Sequence, residues 1–426
     1  MRIVQLTPGA GGMFCGACMR DNALVAALRK LGHDVTLIPL YTPLTLDEPG
    51  NSEDRVFFGG VNVFLQQKSA LFRHTPGWLD KPLDNPRLLR EAARLAVKTR
   101  PEDLGELTIS VLRGEEGRQL KELEKLTAWL TAQPKPDIVC LSNALLSGLA
   151  RRLRAALKAP IVCTLQGEDF FVDGLPEPQR KQAWALLRER AADIDAFIAV
   201  SRYYGEVMRE RLMLPAEKTH VVHNGIDLSG YGPARSRPAH PTVGYLARLA
   251  PEKGLHTLVE AFGHLHRRGK APGVRLRIAG SQTDGDKPFV AELRRGLKRD
   301  GLAPHVDILP NLDRAQKIGF LQSLSVFSVP AVYGESFGLY VLEALVCGVP
   351  VVQPRHAAFP ELIEATGGGV LCEPGDVWDL AAKLEELLLD EPRRAALGAA
   401  GRDKVIEHFS IERAARGVEQ VLRTQV

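Results

Sequence analysis

The chain reads as an α/β protein built from two doubly wound parallel-sheet domains in tandem, and three observations predict this. Short apolar runs rich in β-branched residues alternate with longer amphipathic segments, the β-α-β rhythm of a parallel sheet. The rhythm is interrupted after His223 by NGIDLSGYGPARSRPAHP, rich in Gly, Pro and Ser, and then starts again. With 426 residues, the chain also exceeds what a single hydrophobic core usually covers.

The first series opens with RIVQLT, continues through a helix around Arg20 to Leu31 and returns in HDVTLIPL. In that helix Leu24, Leu28 and Leu31 recur at helical spacing, while Arg20, Asp21 and Asn22 supply polar start signals. Further strands are predicted at IVCL near 138, PIVCTLQ near 160 and AFIAVS near 196. Charged amphipathic pieces such as GRQLKELEKLTAWLTA interrupt this series and predict a helical insertion over about 84–133 that packs against the N-terminal sheet. In the second series TVGYLARL, VRLRIAG, HVDILP, LSVFSVP, PVVQP and GGVLCEP are predicted strands. The division that follows is an N-terminal domain over 1–228, a linker over 229–240, a C-terminal domain over 241–404, and a last helix over 405–426 that packs back toward the N-terminal domain.

Composition excludes several classes of protein. Hydrophobic residues at 45% and charged residues at 25% exclude disorder, and no apolar run approaches a membrane span. A net charge of +4 suits phosphate-bearing small ligands or an anionic membrane surface without demanding nucleic acid, and 6% aromatics give no base-stacking platform. MRIVQLTPGAGG runs from a short strand into glycine, unlike a secretion signal, and six scattered cysteines suit a reducing cytoplasm. Nothing in the sequence specifies an oligomeric state.

The chemistry concentrates in three motifs. The most specific is Glu335-Ser-Phe-Gly-Leu-Tyr-Val-Leu-Glu343, at a predicted strand-to-helix junction. Gly338 lets a ligand approach the first helical turn, where backbone N–H groups lack helical partners and bind anionic or polar oxygens. Two carboxylates so spaced can grip hydroxyls at two separated points. A lone pair of helix glutamates is ordinarily solvated; what reverses that reading is Arg248 and Lys253 in LARLAPEKG, which can converge on a diphosphate and offset the charge that develops there. The third motif is the turn Pro8-Gly-Ala-Gly-Gly12. It falls short of a dinucleotide fingerprint, because Phe14 stands where G-x-G-x-x-G needs glycine, and a tight structural turn explains it nearly as well. All three motifs follow strand C-termini, where open parallel sheets place their ligands.

These motifs, with AVS at 199–201, HNGID at 223–227 and GGGVLCEPGD near 370, resemble the retaining GT-B glycosyltransferases of family 4 (glycosyl transferases group 1) type over nearly the whole chain. The resemblance implies two Rossmann-like domains facing a central cleft and a hexosyltransferase-like enzyme that transfers a sugar from a nucleoside-diphosphate donor to a glycan, lipid or small-molecule acceptor. It implies that Arg248 and Lys253 contact the donor diphosphate, Glu343 the ribose and Glu335 the transferred sugar. Ser336, Phe337, Gly338 and Leu339 would hold the sugar and distal phosphate through their backbone. Gly11 and Gly12 would approach the phosphates, and Leu309 and Asn311 lie in the strand end that touches the nucleobase. Many relatives carry a histidine where this chain has Gln166, whose amide can still bond a sugar hydroxyl. Glu168 and Asp169 just beyond are candidate acceptor-side carboxylates, with a polar turn as the equal alternative.

In this type of enzyme the leaving phosphate helps remove the acceptor proton and cations replace a metal, so no cofactor and no metal requirement are expected. Asp284-Gly-Asp286 carries the D-x-D pattern of metal-holding glycosyltransferases, but its glycine-rich setting reads as a solvated loop. Cys15 and Cys18 read as small residues at the cleft mouth rather than a zinc site, which would need two further ligands, and His33 reads as a strand-start residue. Enzymes of this type that glycosylate lipids attach to the inner membrane face, though no single amphipathic segment here compels it. The alternatives are a GT-B epimerase or phosphorylase, a non-catalytic nucleotide-sugar-binding protein, and an oxidoreductase, which would leave the second-domain motifs unexplained.

Overall fold

The computed structural model describes residues 1–9, 16–46, 49–53, 55–69, 72, 101–234 and 238–426. Gly11, Gly12, Cys15 and the stretch 84–100 of the expected insertion therefore lie outside the described residues. Two compact units emerge: Met1–His223 with Ala414–Val426, and Asn224–Arg413.

The first unit holds β1 (Arg2–Thr7), β2 (Asp34–Pro39), β3 (Ile138–Leu141), β4 (Ile161–Leu165), β5 (Ala196–Ala199) and β6 (Thr219–Val221). They form a six-stranded sheet in the order β2-β1-β3-β4-β5-β6. Every pairing is parallel, with Ile3 beside both Val35 and Ile138. All residues of β3, β4 and β5 are buried, as expected where helices cover both faces of a sheet. Strand β6 is not foreseen from the sequence, since its three residues, with His220 in the middle, are too few for a period to show. The helix after β1 runs over Gly16–Lys30, starting ahead of the polar residues expected to open it. Of the insertion, helices Pro101–Leu112 and Leu120–Thr131 are described, and the first packs on helix Gln179–Arg190 of the same unit.

The second unit holds β7 (Thr242–Leu246), β8 (Arg275–Gly280), β9 (Val306–Pro310), β10 (Val326–Phe327), β11 (Val351–Pro354) and β12 (Gly369–Cys372). Its sheet runs β12-β11-β10-β7-β8-β9, again all parallel. The chain winds outward from β7 in one direction, then reverses and starts again at β10. That topological switch leaves a crevice beyond the C-terminal ends of β7 and β10, the place where doubly wound sheets bind ligands. In the first sheet the reversal lies between β1 and β3.

The segment after His223 belongs to the second unit, which differs from its reading as the tail of the first domain followed by a linker. Ile226 N donates to Phe409 O at 2.9 Å, Arg314 Nη2 to Asp227 O and Ser229 O at 3.1 Å each, and Gln322 Nε2 to Gly232 O at 3.0 Å. Gly and Pro mark irregular backbone, but irregular backbone can still be bonded to one partner. Among the described residues, no helix is long and apolar enough to cross a membrane.

Candidate functional site

The second sheet's switch point gathers the motif residues. Beyond β7, the Tyr245 hydroxyl, buried at the sheet end, donates to Arg248 O at 3.0 Å and fixes the outgoing backbone. The chain then makes a single turn over Pro251–Lys253 and enters helix Leu255–Arg268 through Gly254, whose φ is +70°. A Cβ at Gly254 would lie 1.8 Å from Pro330 O, so only glycine lets this turn press against the segment leaving β10. Val332 N donates to Glu252 O at 3.0 Å and ties the two segments together.

That contact brings Lys253 to Glu335. Lys253 Nζ lies 2.6 Å from Glu335 Oε2 and also donates to the Tyr333 hydroxyl, with the Tyr333 ring centroid 4.7 Å from the ammonium. Tyr340 and Tyr333 donate to the same Glu335 oxygen at 2.8 and 3.0 Å. Burial works to raise the Glu335 pKa, but the Lys253 ammonium and the hydrogen bonds from Lys253, Tyr340 and Tyr333 outweigh it and hold the carboxyl below its ordinary value. Burial pushes the Tyr340 hydroxyl well above its usual range, helped by the neighbouring Glu335 charge, so it stays a donor.

Helix Leu339–Val346 follows, entered through Gly338 at φ +94°. A Cβ there would meet the Phe359 ring at 3.3 Å, so the turn is packed as well as left-handed. Ser336 and Phe337 are buried, and the Phe337 ring sits 6.3 Å from Phe409, so what Phe337 offers toward the crevice is backbone. Glu343, further along the helix, receives Tyr231 OH and Lys317 Nζ on Oε1, both at 2.8 Å. Lys317 comes from helix Arg314–Gln322, started by a reciprocal capping box between Asp313 and Gln316.

Arg248 does not share these partners. Asp286 Oδ1 accepts from its Nη2 at 2.9 Å and its Nε at 3.2 Å, and Glu252 Oε1 lies 3.5 Å from Nη1. Burial acts against the Arg248 charge, but the hydrogen bonds and charge of Asp286 outweigh it and raise its pKa. The solvated-loop reading of Asp284-Gly-Asp286 is therefore corrected: the triplet is a helical turn in which Asp286 is buried, while Asp284 is exposed and paired with Lys287 at 2.6 Å. Of the residues expected near the nucleobase, Leu309 is the last but one residue of β9, and the Asn311 amide is committed to the neighbouring loop. It accepts from Gln282 N at 2.9 Å and donates to Gln282 O at 3.2 Å.

In the first unit, Gln166, Glu168 and Asp169 stand at the end of β4. Gln166 Nε2 donates to Ser142 O and, at 3.1 Å, to Ser142 Oγ, which in turn donates to Asp21. Asp21 forms a buried ion pair with Arg20 at 2.9 Å. Glu168 is buried rather than in an open polar turn. Its Oε1 accepts Ala144 N at 2.8 Å, and its Oε2 accepts Gln166 N at 2.9 Å, Gly167 N at 3.0 Å and Tyr204 OH at 2.8 Å. Burial outweighs these bonds and raises its pKa. The Tyr204 hydroxyl also lies 2.9 Å from Asp169 Oδ1. His33, ahead of β2, bonds Glu419 through Nε2 at 3.1 Å.

Tyr333, Tyr340, Lys317, Tyr231 and Tyr204 are functional-site neighbours that sequence reasoning passes over. Tyr340 lies inside the two-glutamate motif and Tyr333 two residues ahead of it, so both could have been found there; Lys317, Tyr231 and Tyr204 come from distant segments without a local signal.

Two doubly wound six-stranded parallel sheets, with Lys253 and Glu335 paired beyond the second switch point, are the architecture of the GT-B class of glycosyltransferases. The family description "Glycosyl transferases group 1" matches residues 234–404, and "Glycosyltransferase Family 4" matches residues 107–229. A GDP-mannose-dependent alpha-(1-6)-phosphatidylinositol monomannoside mannosyltransferase of Mycolicibacterium smegmatis is 30% identical over 282 residues, 62% of this chain and 70% of that one. A glycogen synthase of Mycobacterium tuberculosis is 28% identical over 315 residues, 72% of each chain. Among solved structures, sucrose-phosphate synthase from Thermosynechococcus elongatus superposes with a TM-score of 0.73 at 19% identity, covering 99% of this chain and 98% of that one. Anabaena HepE in complex with UDP gives 0.69 at 18%, covering all of both chains. The chain belongs to the group 1, family 4 glycosyltransferases and is a glycosyltransferase of GT-B fold.

Proposed function

We propose that this enzyme transfers a sugar from a nucleoside-diphosphate donor to an acceptor with retention of anomeric configuration and without a metal. The observation that carries the reading is the buried Lys253–Glu335 pair, which joins the turn leaving β7, where Arg248 also stands, to the segment between β10 and the helix that bears Glu343. Each basic group keeps hydrogen-bonding capacity. Asp286 takes one N–H from Arg248 Nε and one from Nη2, which leaves three of five donors, and Lys253 keeps one of three. As the bond from the sugar C1 to the phosphate oxygen breaks, its electron pair moves onto the diphosphate, where these cations offset the new charge. The acceptor oxygen bonds C1 on the face the diphosphate leaves, and its proton passes to the departing phosphate. Glu335, kept ionised by Lys253, accepts a sugar hydroxyl, and Glu343 accepts a ribose hydroxyl.

The reading is supported by the mannosyltransferase, which is GDP-mannose-dependent, and by HepE, solved in complex with UDP and with UDP-glucose. A glycan, lipid or small molecule is the acceptor, and a lipid acceptor would draw the enzyme to the inner face of the membrane. Titration with UDP, GDP, ADP and dTDP, followed by thermal stability, tests the donor site, because a ligand bound only by the folded state raises the midpoint. A shift for one nucleotide that disappears in Arg248→Ala or Glu343→Ala is expected; no shift with any of the four would overturn the reading. Turnover of the matching labelled donor should persist in chelator, and loss of activity there would remove the metal-independent part.

A further inference from the structure

The Asp284-Gly-Asp286 triplet carries a pattern usually associated with metal, yet its two carboxylates go separate ways. Asp284 has a side chain 69% exposed and meets Lys287, whereas the Asp286 side chain is 4% exposed and meets Arg248. Both Asp286 oxygens are occupied, and Oδ1 bonds Arg248 alone. Oδ2 accepts Thr283 N at 2.8 Å and Thr283 Oγ1 at 2.7 Å, closing the capping box of the turn. Oδ1 takes Arg248 Nη2 and Nε, 2.9 and 3.2 Å away, and Nε also lies 3.5 Å from Oδ2. A residue kept only to cap the turn would need Oδ2 alone, so the second oxygen calls for a separate explanation.

We infer that Asp286 is a positioning residue for Arg248: it grips one edge of the guanidinium so that the other edge is presented to the donor diphosphate at the end of β7. The inference rests on the reading of Arg248 as a diphosphate contact. An arginine has several rotatable bonds, and ordering them on ligand binding opposes affinity. Here the anchor is buried while the Arg248 side chain is 41% exposed, so the ordering is done at the protein end and part of the side chain stays accessible. The D-x-D pattern in this chain then serves an arginine rather than a metal ion. Glu252, 3.5 Å from Nη1, borders the same guanidinium from the Lys253 turn and limits its swing.

The test uses the full chain and the diphosphates UDP, GDP, ADP and dTDP, each beside its own monophosphate, with affinities from calorimetry. For the nucleotide that binds, Asp286→Asn should weaken the diphosphate on the order of tenfold, one charge-assisted contact, while leaving the monophosphate within about twofold. Arg248→Ala should lower diphosphate affinity at least as far, and adding Asp286→Asn to it should change nothing more, because the two act through one contact. Asp284→Asn should behave as wild type. Thr283→Val removes a cap bond and spares the Arg248 contact, so it should lower thermal stability without changing the diphosphate-to-monophosphate ratio. Loss of diphosphate affinity in Arg248→Ala but not in Asp286→Asn would overturn the inference and leave the donor-site reading intact. So would Thr283→Val reproducing the Asp286→Asn effect. Full diphosphate affinity in Arg248→Ala would instead overturn the donor-site reading on which the inference rests.

Discussion

Glu168 and Glu335 are both buried glutamates just beyond the C-terminal edge of a parallel sheet, and both accept a tyrosine hydroxyl at 2.8 Å. Their acidities move in opposite directions. Glu168 has four neutral donors, three backbone N–H groups and Tyr204, and burial still raises its pKa. Glu335 has fewer donors, but one of them is Lys253, and its pKa falls. At Glu168 the neutral hydrogen bonds make up for lost water only in part, whereas at Glu335 the Lys253 ammonium at 2.6 Å, together with the hydrogen bonds from Lys253, Tyr340 and Tyr333, outweighs the burial cost. The first unit therefore keeps a carboxyl that resists ionisation, and the second keeps one that stays charged.

The sharpest way to break this comparison is to remove the charge from Glu335. Glu335→Gln strands the Lys253 ammonium, which is left with the faces of Tyr333 and Tyr340 at 4.7 and 5.7 Å and the Tyr333 hydroxyl. Stability should fall by about 3 kcal/mol in denaturant unfolding, the usual size for breaking a buried pair, and donor turnover by about a hundredfold or more. Adding Lys253→Met should recover part of the lost stability and none of the turnover, because the stranded charge is gone but the contact with the donor is not restored. Equal stability of Glu335→Gln and wild type would mean that the lysine is not what keeps this carboxyl buried.

Glu168→Gln should cost less, about 1–2 kcal/mol, since the amide keeps one acceptor but turns its NH2 group toward donors that the second oxygen satisfied. Acid should separate the two variants further. The folded pKa of Glu168 lies above its ordinary 4.5, so its contribution is fully present below 4.5 and is lost as pH rises through the folded value. The gap between wild type and Glu168→Gln should therefore widen as pH is lowered from 7 toward 4.5. The folded pKa of Glu335 lies below 4.5, so its contribution is complete above 4.5 and fades only as pH drops through that lower value. The Glu335→Gln gap should stay flat from pH 7 to 5 and shrink in stronger acid. Unfolding midpoints measured across this range check both slopes, and a common slope would remove the distinction between the two sites.

How much of this was open to sequence reasoning follows from which interactions are local. Strands such as IVCL and TVGYL are legible because a parallel strand buried on both faces must be apolar throughout. The two-glutamate motif is legible because the turn through Gly338, the helix start and both carboxylates lie within nine residues of one another. Asp286 is not, because its charged partner Arg248 lies 38 positions away, and a glycine-rich D-x-D looks solvated until that partner is in place. Lys317 and Tyr231 reach Glu343 from a helix and from a segment whose composition signals only a loop. Glu168 looks like half of an acidic turn; two of the four donors that hold it inward, Ala144 N and the Tyr204 hydroxyl, come from 24 and 36 positions away. Local chemistry thus locates the two-glutamate motif, while Lys253, which does most to keep Glu335 charged, comes from another segment.

The tyrosines give the smallest effect and the finest cut. Tyr340→Phe and Tyr204→Phe each delete one hydroxyl that donates to a buried glutamate, a change of about 1 kcal/mol in unfolding free energy. Their consequences should differ with what remains. After Tyr340→Phe, Glu335 still has Lys253 and Tyr333 on the same oxygen, so it stays ionised but less firmly aimed. Donor KM should rise by a few-fold, with kcat changed less. After Tyr204→Phe, Glu168 keeps its backbone donors, but the hydroxyl that joins it to Asp169 is gone, and the two carboxylates no longer share a donor between them. Donor KM should then stay at the wild-type value, since nothing in the second unit has changed, and any kinetic effect should fall on the acceptor. Steady-state rates with each substrate varied in turn separate the two. A donor KM that moved equally in both variants would show that the two glutamates do not serve separate substrates.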